Sequence, residues 1–233
     1  MFTAVNSKVV SIDLARSGPV IARRGAMLFY SGAVGFAPHQ IPGAGGGMSG
    51  VGAIGGMAGR MIAGEHEATM VAQGTGTVHY GFRGIETHVV DVGALGGQLR
   101  VEASRLLAHT SGLQASVVSV ASSGGGGGGG GLFSSLRSAA AGAVTGQGMF
   151  TTQLSGPGSA VLLGHGGVFD LPVTPDKPVI VDPQAYVGAA GQVSTTLRSA
   201  VSWRNVGRTG GEAMQLECTG QGTVFVQASE EKL

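Results

Sequence analysis

Three segments of this chain share one arrangement of glycines, and this repetition limits the fold more than any other feature of the sequence. Each segment has a glycine, a strand-like run, and a Gly-x-Gly doublet ten positions after the first glycine. A second strand-like run follows each doublet. The doublets are Gly74/Gly76, Gly156/Gly158 and Gly220/Gly222. Because glycine adopts positive φ easily and lets backbones approach closely, we predict a hairpin in each segment, with a tight turn or bulge at the doublet.

A second pattern also recurs along the chain. Residues 101–108 (VEASRLLA) match residues 181–188 (VDPQAYVG) at the same offsets, and residues 24–30 are a looser relative. Repeats of this length bury a face against their neighbours. We therefore predict three β modules, packed as one compact unit. Their boundaries are 1–97, 98–175 and 176–233, with a glycine-rich insert at 43–59 in the first and eight consecutive glycines at 124–131 in the second.

The residue types favour strands over helices. The sequence has 27 valines against 16 leucines, and its short strand-like runs are often bounded by glycine. Several runs alternate: Met214, Leu216 and Cys218 share one face, whereas Gln215 and Glu217 share the other. This pattern predicts an all-β sandwich or barrel. The one helical candidate, 134–143, is equally compatible with a loop.

Composition indicates a folded chain with little charge to cover its surface. Leu, Ile, Val and Phe make up about 25% of the residues, above the roughly 20% typical of disordered chains. Charged residues are 12%, about half the usual share. We expect such a protein to hide surface by assembling with copies of itself or with close paralogues. Nothing in the composition indicates an enzyme, and no cofactor is predicted.

The charge balance and the cysteine content bear on partners and compartment. A net charge of +1 provides no long-range field to attract nucleic acid or an anionic membrane. Cys218 is the one cysteine, which excludes an intrachain disulfide and fits a reducing compartment. The N-terminus lacks the pattern of a signal peptide, and the uncharged stretches are interrupted too often for a spanning helix. The expectation is a cytoplasmic protein, with peripheral membrane contact as an alternative.

That alternative depends on the insert at 43–59, which reads GAGGGMSGVGAIGGMAG. One interpretation is that this insert and the polyglycine run are loops between strands. The other interpretation uses four apolar side chains that make the first insert a contact surface for a partner or a bilayer. These side chains are Met48, Val51, Ile54 and Met57.

Several motifs together resemble a known family. They are Arg24–Gly32 (RGAMLFYSG), Gly64-Glu65, Gly156-Pro157-Gly158, and Gly211-Glu212 followed by Gly220–Gln227 (GQGTVFVQ). They are similar to those of the altered inheritance of mitochondria protein 24 family, over roughly residues 5–228. The resemblance implies a β-sandwich or double-stranded β-helix type of fold related to the tryptophan RNA-binding attenuation protein. It also implies oligomers, with a trimer as first expectation, and it brings no catalytic residues. Most bacterial members have no assigned function, and a fungal mitochondrial member is linked to inner-membrane organisation.

Motifs for nucleotide and RNA binding lack the required context. Residues 50–55 match G-x-G-x-x-G, but a dinucleotide site needs a preceding strand, a following helix and an acidic residue about 20 positions on. No phosphate-binding G-x-x-x-x-G-K-[ST] motif is present. The structural relative binds RNA through basic residues that repeat around a ring. In this chain the arginines are dispersed and do not recur at matching module positions, so RNA binding is not favoured.

Candidate groups for metal binding and nucleophilic catalysis are no more convergent. The six histidines are scattered, and the Glu65-His66-Glu67 triplet would split between two faces of a strand. Cys218 lies on an apolar face and is interpreted as a small core residue. Asp170, Asp176 and Asp182, among prolines, are interpreted as solvated loop acids. We therefore predict no metal ligands and no catalytic residues. Three hypotheses stay open: a self-assembling scaffold, a membrane-associated organiser, and a β-barrel that binds a small ligand or RNA.

Overall fold

The chain folds almost entirely into antiparallel β-structure, as the sequence predicted. The computed structural model describes residues 1–39, 68–119, 150–199 and 214–231. Several features singled out in the sequence lie outside these residues: the insert at 43–59 with its G-x-G-x-x-G match, the Glu65-His66-Glu67 triplet, the polyglycine run at 124–131 and the helical candidate at 134–143. The strands are β1 (Thr3–Asn6), β2 (Val9–Asp13), β3 (Val20–Arg23), β4 (Met27–His39), β5 (Thr69–Tyr80), β6 (Glu86–Asp91), β7 (Gln98–Glu102), β8 (Leu106–Thr110), β9 (Gln114–Ser119), β10 (Phe150–Ser155), β11 (Ser159–Gly164), β12 (Val168–Val173), β13 (Val179–Val181), β14 (Tyr186–Ser199) and β15 (Met214–Gln227).

Helical structure in the described residues is limited to two short turns. One α-helical turn, α1 (Leu14–Ser17), links β2 to β3; Asp13 caps it by accepting a hydrogen bond from the backbone of Ala15 at 3.0 Å. The second is a 3-10 turn at Ala103–Arg105. None of the described helices is long and apolar enough to cross a lipid bilayer.

The strands form two sheets. The first has the order β1-β2-β5-β3-β8-β11-β6, with β4 paired to β5. The second has the order β12-β15-β14-β7-β10-β9, with β13 paired to β15. The long strand β5 pairs with β4 along one edge, while β3 and β2 share its other edge. In the same way, β15 pairs with β14 along one edge and with β13 and β12 on the other.

The strands in the middle of the chain connect the two sheets. β8 belongs to the first sheet and β9, which follows it after three residues, to the second. Likewise β10 lies in the second sheet and β11 in the first. The crossing from β10 to β11 occurs at Gly156 and Gly158, which have φ of 118° and 155°. These positive φ values, which β-carbon-bearing residues rarely adopt, let the chain change sheets within a few residues.

The core comprises three apolar clusters in the described residues. The first combines the inner faces of β2, β3 and β5 with Leu107, Val161 and Leu163. The second is built around β7, β10 and β11, and receives Val187 and Phe225 from the long strands of the second sheet. The third is formed by strands β12 to β15, and its buried members are Val173, Val181, Tyr186, Ala189, Val193, Leu216, Cys218 and Val224. Burial of these β-branched and leucine side chains is the main favourable term in folding.

Candidate interaction edge on the first sheet

The first long strand begins with four large apolar residues, Met27 to Tyr30, directly after Gly25 and Ala26. A backbone turn precedes β4, in which the amide of Ala26 donates to the carbonyl of Arg23 at 3.1 Å. β4 pairs with β5 over its whole length and, within the described parts of the chain, with no other strand. One edge of this 13-residue strand therefore presents unpaired backbone N–H and C=O groups.

The side chains at the start of β4 are exposed. Leu28 is 50%, Phe29 57% and Tyr30 47% exposed, with Met27 beside them. Alternation along a regular strand would place neighbours on opposite faces, but the pairing with β5 shifts register between Met27 and Phe29. Leu28 therefore bulges out of the ladder. Monomeric proteins usually protect long edge strands with charge, bulges or covering segments, and an exposed apolar one is typical of an association site.

Ring contacts order the aromatic part of this edge. The Phe29 ring stacks on the His79 imidazole of β5, with centroids 4.1 Å apart and planes 16° apart. Tyr30 makes an edge-on contact with Phe36 at 5.4 Å. The Nδ1 atom of His79 is buried and has no hydrogen-bond partner in the described structure. These contacts hold the Phe29 and Tyr30 rings in place at the surface of this edge.

A cavity of about 290 Å³ lies behind this edge, lined by Arg23, Met27, Phe36, Met70 and Tyr80 among others. Its volume is near the lower limit of small-molecule pockets, roughly 300 Å³. Arg23 is engaged elsewhere, since its Nη1 donates to the carbonyl of Ser104 at 2.7 Å and its guanidinium lies 4.2 Å from the centre of the Phe82 ring. Burial raises the pKa of the Tyr80 hydroxyl, so this group stays neutral. The cavity offers no acid–base pair among its described lining residues.

Two of the three glycine doublets lie within long strands, and the third lies between two strands of different sheets. β5 runs through Gly74 and Gly76, and β15 runs through Gly220 and Gly222. The sequence predicted a hairpin with a tight turn or bulge at each doublet; in the described structure the residues before and after a doublet do not pair with each other, so no hairpin forms there. Gly74 and Gly220 have φ of 127° and 110°, so each doublet marks a bend within one strand. Gly156 and Gly158 separate β10 from β11, where the chain passes between sheets. A β-carbon at Gly74, Gly76, Gly220 or Gly222 would meet a carbonyl oxygen of the paired strand.

The predicted contact residues of the insert lie outside the described residues, and they stay a prediction. They are Met48, Val51, Ile54 and Met57.

The histidines of the described residues do not converge on a metal site. No group of three or more His, Cys, Asp and Glu there could hold a metal ion. His88 Nε2 contacts Asp170 at 2.8 Å, and His165 Nδ1 lies 3.5 Å from Glu231. Asp170 is thus part of β12 and pairs with a histidine, so it is not the loop acid that the sequence predicted. Asp182 accepts a hydrogen bond from the amide of Gln184 at 2.6 Å.

The single cysteine is a core residue, as predicted. Cys218 is buried beside Leu216 in the third cluster. Burial raises the pKa of its thiol to about 12, so the reactive thiolate is absent at neutral pH.

A buried arginine is the most important polar group that the sequence did not single out. Arg105 is almost fully buried; its Nη1 donates to Oε1 of Gln227, and its Nη2 donates to the carbonyl of Glu231 at 2.9 Å. Glu102 lies 3.6 Å from its Nε. Gln227 also donates to Glu231 at 2.7 Å. This network connects Gln227 and Glu231 to the 3-10 turn that follows β7, so Arg105 has a structural role.

The comparisons with known proteins agree on the fold. The chain is similar to a Streptococcus pyogenes protein of known crystal structure, with a TM-score of 0.62 and 17% identity, over 98% of this chain and 92% of that chain. At this identity the likeness shows the fold alone. Comparison with curated protein sequences gives no match.

The family assignment is more specific. A family model described as mitochondrial biogenesis AIM24 matches residues 2–229, nearly the whole chain. This agrees with the resemblance that the sequence motifs carry. The protein belongs to the AIM24 family of mitochondrial biogenesis proteins.

Proposed function

We propose that this protein is a non-enzymatic scaffold that assembles with copies of itself through its exposed edge strands. The observation that carries the proposal is the start of β4, where Leu28, Phe29 and Tyr30 are exposed beside unpaired backbone groups. Leaving such a surface in water is unfavourable, and pairing it with another strand would satisfy both its apolar side chains and its backbone. The low content of charged residues also favours assembly.

The proposed scaffold consists of three modules, each with the same pairing scheme. Support comes from the strand residues before and after each doublet. Those after each doublet pair with β2, β6 or β12, and those before it pair with β3, β7 or β13. This scheme favours placing β6 in the second module and β12 in the third, so that each module boundary would fall before the strand and not after it. A repeated module of this kind, joined to its neighbours by strand pairing, is suited to building extended assemblies, as expected for a fold related to the tryptophan RNA-binding attenuation protein.

The proposed compartment is the cytoplasm. Its support is the chemistry of Cys218, a free thiol in the apolar third cluster. Free thiols persist in reducing compartments. Fractionation of the cells that make this protein tests the location, and recovery from the membrane pellet after a salt wash would contradict it.

Light scattering after size-exclusion chromatography tests the scaffold directly. We expect the protein to elute as an oligomer at micromolar concentration. The substitution Leu28→Lys should shift it toward the monomer, because it places a charge on the exposed edge. Val5→Lys is the matched control, since Val5 is 54% exposed on β1, away from the edge of β4, and should leave the mass unchanged. A wild-type protein that stays monomeric at these concentrations would contradict the proposal.

A further inference from the structure

Two strand pairings inside the chain have the same form. In each, a short strand pairs in antiparallel fashion with a strand that comes later in the chain. β3 pairs with β8 and β7 pairs with β14, over three residues each. The pairs are Val20–Thr110, Ile21–His109 and Ala22–Ala108 in the first, and Leu99–Ala190, Arg100–Ala189 and Val101–Gly188 in the second.

The doublets fix which residues of the short strands are equivalent. The residue two positions before each doublet pairs with a short strand: Ala72 with Val20, Leu154 with Leu99, and Cys218 with Val179. β13 is therefore the third member of the set that includes β3 and β7. In this alignment Ile180 corresponds to Ile21 and to Arg100.

A shared bulge shows which residues of β4, β8 and β14 are equivalent. The ladder shifts register around one residue in each: Leu28 in β4, Leu107 in β8 and Val187 in β14. β4 is therefore the counterpart of β8 and β14. Tyr30 corresponds to His109 and to Ala189.

The counterparts differ in one respect, which is whether a strand covers them. Ile21 and His109 face each other within the first sheet and are 6% and 3% exposed. Ile180 and Tyr30 are 48% and 47% exposed. The outer edges of β13 and β4 have no partner strand in the described part of the chain. The two uncovered edges are thus the two halves of a pairing that occurs twice within the chain.

The bulge residues give the same result for side-chain packing. Leu107, the bulge residue of β8, is fully buried in the first cluster, and Val187, the bulge residue of β14, is fully buried in the second. Each of these two bulge residues therefore packs into the cluster of the module that comes before its own. Leu28 is half exposed, while the third cluster receives no bulge residue from within the described structure.

We propose that β4 of one copy pairs with β13 of a second copy in the register that the two internal pairings define. Tyr30 would then face Ile180 of the next copy, Ser31 would face Val179, and Phe29 would face Val181. Leu28 would enter the third cluster of that copy. This inference rests on the proposed self-assembly and adds its geometry.

The pairing joins different surfaces, so it is head-to-tail. Each copy keeps a free β13 when its β4 is occupied, and further copies add until the assembly closes as a ring or continues as a filament. A symmetric dimer through two β4 strands is the competing arrangement, and it would leave both β13 edges uncovered.

Disulfide mapping with four single-cysteine substitutions tests the register. Tyr30→Cys and Ser31→Cys are placed on β4, and Val179→Cys and Ile180→Cys on β13. Residues opposite each other in an antiparallel pair have β-carbons about 4.5–5.5 Å apart, close enough for a disulfide after small adjustments. Native Cys218 is replaced by Ala in every variant, because it lies directly opposite Val179 in the ladder between β13 and β15 and would compete for the thiol of Val179→Cys. The Cys218→Ala chain without further substitution shows the background.

Mixtures of the variants under mild oxidation give the result. We expect covalent dimers from Tyr30→Cys with Ile180→Cys and from Ser31→Cys with Val179→Cys, at least fivefold above the two crossed mixtures. The crossed mixtures shift the register by one residue and place the cysteines on opposite faces. Each variant alone should stay uncoupled, and circular dichroism checks its fold.

Several outcomes would overturn the inference. Equal coupling in matched and crossed mixtures, or coupling of Tyr30→Cys with itself, would exclude this register. Oligomers by light scattering without any coupling would overturn the β4–β13 contact and leave self-assembly intact. A monomeric wild-type chain would end both proposals. Because two independent matched pairs are used, one misfolded variant does not prevent the test.

Discussion

Gly76 lies directly opposite Gly32 in the ladder between β4 and β5. A β-carbon on Gly76 would collide with the carbonyl oxygen of Ser31 and lie 2.7 Å from a methyl group of Val34. The second sheet repeats the arrangement: Gly222 lies opposite Gly191, and its missing β-carbon would meet Ala190 and Val193. At both places the two strands of a long pair approach closely as they bend.

Gly76→Ala should therefore destabilise the fold, by about 2 kcal/mol or more, because backbone atoms have to move to make room. Gly35→Ala in the paired strand is the matched control. The nearest atom to its added β-carbon is 4.0 Å away, and its φ is not in the positive region, so the change should be within about 0.5 kcal/mol. Urea unfolding gives the free energies, and equal effects of the two substitutions would contradict this account.

The doublets show how far the sequence alone could predict this fold. Their spacing indicated that glycine is required and that strands lie on both sides. Whether the chain turns or bends at a doublet depends on the strands beside it. β5 continues as one strand through the bend at Gly74 and Gly76 because β4 pairs with it along its whole length. That pairing joins residues separated by the insert at 43–59, and no local pattern encodes it.

The interaction edge was harder to predict for a related reason. Residues 27–30 (MLFY) and 106–109 (LLAH) occupy matching positions and both include consecutive large apolar residues. Residues 106–109 are buried, and β3 pairs with β8 from Ala108 to Thr110; residues 27–30 are exposed, and no described strand pairs with their outer edge. By contrast, alternation in β15 correctly predicted that Leu216 and Cys218 face the core.

The Arg105 network should be sensitive to loss of its amide partner. Gln227→Ala removes the acceptor of the Arg105 Nη1 hydrogen bond and leaves a buried guanidinium less well satisfied. We expect a loss of about 2–3 kcal/mol in the free energy of unfolding, since hydrogen bonds to buried charged groups are the strong ones. Gln192→Ala, an exposed glutamine on β14, is the control and should have little effect. Comparable losses from both would show that the network contributes nothing specific.

Cys218 provides a reporter of unfolding. Because its thiol is buried and has a pKa of about 12, a disulfide reagent should label native protein very slowly at pH 8. Labelling should become complete in urea at the concentrations where circular dichroism is lost. Leu216→Ala opens space beside the thiol in the third cluster and should speed labelling of the native state. Rapid labelling of the folded wild-type chain would contradict the packing described for this cluster.

His109 should make stability depend on pH. Its Nδ1 lies 3.1 Å from the carbonyl of Thr110 and donates to it in the neutral form, while its buried Nε2 has no hydrogen-bond partner among the described residues. Desolvation lowers its pKa from 6.5 to about 4, so the folded protein resists protonation that the unfolded chain accepts. The stabilising contribution of neutral His109 is thus complete above pH 6.5 and is lost as the pH falls toward 4.

Between pH 7 and pH 5, where most carboxylates stay ionised, the expected loss from this group is about 2 kcal/mol. Urea unfolding at half-unit steps of pH measures the slope. His109→Gln removes the titrating group, so its stability should be lower at pH 7 but should vary less over this interval. If the variant keeps the full slope of the wild type, other groups cause the pH dependence and His109 is not the buried neutral histidine that its position beside Ile21 implies.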